Sequence, residues 1–79
     1  MKIYGYKAED LSQEEIRPSE LAEITLNANA EELRKIAKFI EAAAEGMEKH
    51  GKLWVHEHLS DNYPEFRNSP HFVVWNPEV

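Results

Sequence analysis

"NAEELRKIAKFIEAAAEGMEKHG", Asn29 to Gly51, decides the fold. Leu33, Ile36, Ala37, Ile40, Ala43, Ala44 and Met47 recur at helical spacing and form one apolar stripe, with Phe39 widening its edge. Arg34, Lys38, Glu41, Glu45 and Glu48 cover the opposite face. Asn29 is placed to cap the first turn, and Glu32 stands three residues on, a variant of the capping box. Gly46 costs about 1 kcal/mol relative to alanine inside a helix. The stripe nevertheless continues to Met47, so the stop falls at Gly51, with Lys49 and His50 near the negative end of the helix dipole. One helix with one apolar stripe covers one face of one sheet.

The flanks supply that sheet. "KIYGYK", Lys2 to Lys7, alternates and reads as a strand. Ala8 to Glu20 is acidic, is broken by Pro18, and reads as a loop with a helical turn around Ser12 to Ile16. Leu21 to Ala28 places Ala22, Ile24 and Leu26 on one face, the pattern of a half-buried strand. After the helix, "KLWVHEHL", Lys52 to Leu59, reads as a third strand, and Ser60 to Pro70 as a loop rich in turn residues. "HFVVWN", His71 to Asn76, is the last strand, ended by Pro77. The expected fold is therefore α+β: a two-layer sandwich in the order β-β-α-β-β, one helix on a four-stranded mixed sheet. It makes a single domain over residues 1–79. The second and third strands, if neighbours, would be parallel with a right-handed crossover.

Composition narrows the function. The chain has 79 residues, no cysteine and a formal charge of −6. A disulfide scaffold and a cysteine zinc site are excluded. The acidic balance argues against a nucleic-acid partner and permits, without requiring, a basic protein one. No apolar run approaches the ~20 residues of a membrane span. The N-terminus lacks the apolar core of a signal peptide, so the expected location is the cytoplasm.

A single helix leaves the other sheet face open. On the third strand, Leu53, Val55, Glu57 and Leu59 form the better core set, which turns Trp54, His56 and His58 outward. Tyr4 and Tyr6 share one face of the first strand and are assigned outside as well. An aromatic face with few charges is the composition of an interface core. Tyr4, Tyr6, Trp54, His56 and His58 are therefore the candidate partner-binding residues. Competing readings are a loop (Ala8 to Glu20, or Ser60 to Pro70) folded over that face, or a homodimer formed through it. On the last strand the pattern does not decide between Val73/Trp75 and Phe72/Val74 as the inward pair.

The histidines carry two other chemistries. His56 and His58 point the same way and are weak metal candidates, with His50, His71, Asp61 and Glu65 as possible further ligands. A histidine general acid or base would need a cation for developing charge, and Lys52 and Arg67 are the nearby ones. No serine nucleophile elbow, phosphate-cradling glycine loop or HExxH motif is present. The sequence thus favours a binding protein without a cofactor over an enzyme.

"KIYGYK", "EELRKIAKFIEAAAEGMEKHG", "HEHLSD" and a valine-rich strand ending in "WNP" together resemble the immunity protein 32 family of bacterial polymorphic toxin systems. The most distinctive pieces are "LRKIAKF", Leu33 to Phe39, and "HEHL", His56 to Leu59. The segment "YPEFRNSPH", Tyr63 to His71, is where the likeness is weakest. The resemblance implies a small α+β domain, encoded beside a toxin, that protects the producing cell by binding the toxin's effector domain. It implies no catalysis and no cofactor. Where such toxins are nucleases with basic clefts, an acidic inhibitor is steered toward them.

Overall fold

The computed structural model describes residues 1–8 and 17–79. Its elements are β1 (Tyr4–Gly5), β2 (Ser19–Glu20), α1 (Ala30–His50), β3 (His56–His58), α2 (Leu59–Asn62) and β4 (Val73–Trp75). Short 3-10 turns at Gly51–Leu53 and Pro64–Phe66 join them. The class is α+β. The four-stranded mixed sheet is not formed. In its place are two separate two-stranded antiparallel sheets, β1–β2 and β3–β4. The order of strands around the long helix is as read from the sequence, with α2 added before β4.

α1 is built as its ends dictate. Asn29 has extended backbone, and its side-chain oxygen accepts a hydrogen bond from Glu32 N at 2.9 Å. The Glu32 carboxylate accepts from Asn29 N, also at 2.9 Å. This reciprocal box satisfies two of the orphan N–H groups of the first turn. At the other end Gly51 adopts φ +55 and donates its N–H to the Met47 carbonyl. That left-handed φ is open to glycine at little cost and closes the helix where expected.

The core sits along one side of α1. Ile36, Phe39, Leu59 and Phe66 are buried together, with Tyr63, Phe72 and Val74 packed against them. Phe39 meets Phe72 edge to face, ring centres 6.2 Å apart. Lys35 reaches Glu31 at 3.2 Å and Glu65 at 3.4 Å, tying the Pro64–Phe66 turn to the helix. The buried stripe is rotated from the one expected. Ile36, Phe39 and Ala43 are inside, while Leu33 and Ile40 are 44% and 47% exposed. The reason is width. Two strands about 4.8 Å apart make a ribbon scarcely wider than a helix, so one flank of the apolar stripe stays uncovered.

The strands after α1 are shorter than the pattern predicted. Of Lys52 to Leu59, only His56–His58 is strand, and Leu59 begins α2. Leu59 is buried as expected, but Leu53, expected in the core, is 88% exposed on the 3-10 turn. Ser60 to Pro70 is not a plain loop. It carries most of α2 and the turn that inserts Phe66 into the core. It thus completes the core beside α1 rather than folding over the opposite sheet face. Leu21 to Ala28 is not a strand, and Leu21, Ile24 and Leu26 are exposed. β2 falls just before it, at residues read as loop. The helical turn expected at Ser12 to Ile16 lies outside the described residues.

Asn76 fixes the end of the β3–β4 ribbon. It is buried, and its side-chain amide donates to the Trp54 carbonyl at 2.8 Å and the Gly51 carbonyl at 3.1 Å. Its backbone N–H donates to the Val55 carbonyl at 2.8 Å, and its Oδ1 accepts from Glu78 N at 3.0 Å.

Candidate functional site

The antiparallel register sets His56 opposite Trp75, Glu57 opposite Val74, and His58 opposite Val73. Side chains alternate across a ribbon, so these pairs divide into two faces. Phe72 and Val74 pack on the core beside α1, which settles the inward pair of the last strand. Glu57 shares their side, and its carboxylate accepts from the Asn62 side chain at 3.1 Å. The outer face therefore carries His56, His58, Val73 and Trp75.

These outer side chains touch one another. The His56 ring stacks on Trp75, centres 4.8 Å apart and planes within 13°. His56 and His58 lie 5.6 Å apart edge to face. His71, just before β4, meets His58 at 5.8 Å. Trp75 is 56% exposed and Val73 42%. The result is a row of three imidazoles and an indole on a two-stranded ribbon. Each ring has an apolar plane and a polar edge, the kind of surface that binds protein with both area and hydrogen bonds.

Of the residues expected at the site, His56 and His58 lie on this face. Trp54 does not. Its indole lies against Gly46 of α1, where an added Cβ would sit 2.5 Å from two indole ring atoms. The period-2 reading carried Trp54 outward because it ran through Lys52 to Val55. Trp54 lies outside β3, directly after the 3-10 turn at Gly51–Leu53, where no cross-strand pairing fixes its face. The outer face instead carries the other tryptophan, Trp75, together with Val73, and His71 borders it. Their signal in the sequence was the alternation of "HFVVW", undecided until Phe72 and Val74 were seen inside. Tyr4 and Tyr6 are 56% and 53% exposed, but Tyr4 belongs to the separate β1–β2 sheet.

Among the described residues, no three His, Asp or Glu side chains converge as a metal site requires. Two open clefts, about 470 and 230 Å³, lie at Met47–Gly51–Pro77 and at Phe39–Glu57–Tyr63, and no histidine lines either. Among the described residues, no helix is long and apolar enough to cross a membrane.

Residues 23–76 match the family model described as Immunity protein 32. The match spans well over half of the chain and includes α1, both strands of the histidine ribbon and the core between them. It leaves out Tyr4 and Tyr6. No curated protein and no solved structure matches the chain.

Proposed function

The chain belongs to the immunity protein 32 family, and from that premise we propose that it neutralises a cognate bacterial toxin by direct, stoichiometric binding. The outer face of the β3–β4 ribbon is the proposed contact surface. Trp75 is the anchor, with His56 stacked beside it and His58, His71 and Val73 around them. The observation that carries this reading is the His56–Trp75 stack, a large aromatic pair left at the surface of a domain with few rings to spare. Indole anchors are prominent among binding hot spots, and their truncation costs about 2 kcal/mol or more. The tyrosines at 4 and 6 are exposed and belong to the proposal as a second aromatic patch. Trp54, turned onto α1, acts by holding the ribbon to the helix.

The net charge of −6 gives the encounter a direction. A basic toxin surface is drawn in at low salt, and association slows as salt screens the attraction. Binding of this kind needs no catalytic group and no cofactor. The producing cell's cytoplasm is the proposed place of action.

The test is bait capture from the source cells, with wild type and His56→Ala/Trp75→Ala run side by side. The expected result is one protein captured in stoichiometric amount by the wild type, strongly depleted with the variant, and toxic when expressed alone. Capture of that toxin equally by both baits would remove the surface. A captured partner whose toxicity the wild-type chain does not relieve would remove the function.

A further inference from the structure

The uncovered flank of α1 has a pattern of its own. Leu33, Ala37, Ile40 and Ala44 are all exposed, and they alternate at spacings of four, three and four residues. That is the a/d seam of a coiled coil, with large and small residues alternating along it. At 3.6 residues per turn this seam lies roughly 100° around the helix from the buried stripe of Ile36, Phe39 and Ala43. We infer that the seam is a self-association surface, and that a second copy of this chain packs its own α1 against it in antiparallel orientation.

Two independent features choose a second copy in that orientation. The first is shape. A two-fold axis at the level of Lys38 and Phe39 sets Leu33 opposite Ala44 of the second copy, and Ala37 opposite Ile40. Every large side chain then faces a small one, and the alanines let the helix axes approach to about 8 Å. The second is charge. The solvent-side flank of the seam carries Arg34 in the first half of the helix, and Glu41 and Glu48 in the second. Antiparallel pairing brings Arg34 of each copy toward Glu41 of the other. Parallel pairing would turn the Arg34–Glu41 flanks of the two copies to opposite sides of the seam, where they do not meet. A surface that complements itself across a two-fold axis is what an isologous dimer requires.

The contact is small. Two half-exposed aliphatic side chains and two alanines per copy fall well short of the ~800 Å² per partner of a standard interface. The dimer is therefore weak and concentration-dependent. It is also separate from the proposed toxin surface. α1 packs on the opposite side of the β3–β4 ribbon from His56 and Trp75, so pairing through the seam leaves those rings free.

Sedimentation at about 10 and about 500 µM tests this, because weak association shows as a mass that grows with concentration. The expected mass rises from one copy toward two. Ile40→Lys should hold it at one copy with an unchanged far-UV spectrum. Arg34→Glu should weaken association about tenfold, and Arg34→Glu/Glu41→Arg should restore most of it, since the pair meets only between copies. A single-copy mass at both concentrations would overturn the inference. So would a dimer that survives Ile40→Lys, a charge swap that restores nothing, or a dimer lost instead on Trp75→Ala.

Discussion

Gly46→Ala should destabilise this protein, although helix propensity alone says the reverse. In a solvent-exposed helix interior, alanine for glycine gains about 1 kcal/mol. Here the new methyl would lie 2.5 Å from Cδ1 and Nε1 of the Trp54 indole. Ordinary contact between such atoms is about 3.5–4.0 Å, so the ring must retreat by about 1 Å or more. Its backbone cannot follow. The Trp54 N–H donates to the Gly51 carbonyl at 3.1 Å, and its carbonyl accepts from Asn76 at 2.8 Å. Overpacking of this kind costs about 1–3 kcal/mol. Swinging the half-buried indole into water instead forfeits on the order of 100 Å² of apolar burial, about 2.5 kcal/mol. After subtracting the propensity gain, the variant should lose up to about 2 kcal/mol, or up to about 16 °C in Tm for a domain of this size. Urea unfolding followed by far-UV circular dichroism measures it. In a Trp54→Ala background the same substitution should stabilise by about 1 kcal/mol, so the double-mutant cycle should show about 1–3 kcal/mol of coupling. If Gly46→Ala stabilises the wild type, or if the cycle is additive, then Trp54 does not pack on the helix and the placement of both tryptophans fails.

Other outcomes follow from single contacts. Asn76→Ala strips the donors from the Gly51 and Trp54 carbonyls. It should cost about 1–3 kcal/mol in chemical denaturation, with Asn76→Asp at least as severe because it sets an acceptor against two acceptors. Asn29→Ala breaks the capping box and should cost about 1 kcal/mol, seen as earlier thermal loss of helical signal. The pKa of Lys35 is raised above its ordinary 10.5, chiefly by its hydrogen bond to Glu31 and then by the charges of Glu65 and Glu31, against a smaller opposing effect of burial. A base held more tightly in the folded state stabilises it below the unfolded pKa and stops doing so as pH rises through the folded one. The melting difference between wild type and Lys35→Met should therefore be present at about pH 9 and shrink by about pH 12.

What the sequence made legible was local. The capping pair Asn29/Glu32, the glycine stop at Gly51 and the extent of α1 depend on residues a few positions apart, and all three stand in the structure. Pairing of strands is not local, and there the reading overreached. Alternation in Leu21 to Ala28 is compatible with a strand, but among the described residues its pairing stops at the Leu21 N–H bond to the Ile3 carbonyl. The same rule explains the exchange of tryptophans. Side-chain face is fixed only where a strand is paired, and Trp54 stands between the 3-10 turn and the first paired residue, His56. His56 and His58 face away from the core, as alternation indicates, because they sit inside β3 itself. Phe66 was hidden in a stretch full of turn residues, where a single aromatic between Glu65 and Arg67 gives no periodicity to follow.

The most direct test of the account is a calorimetric titration of the captured toxin domain with wild type, Trp75→Ala and Ile40→Lys. The account predicts one binding site per toxin and an affinity lowered about 30-fold or more by Trp75→Ala, equivalent to the loss of a 2 kcal/mol anchor. It predicts no comparable loss for Ile40→Lys, whose substitution lies on the helix seam. Equal affinity for wild type and Trp75→Ala, with both proteins folded, would contradict the assignment of the histidine–tryptophan ribbon as the surface that meets the toxin.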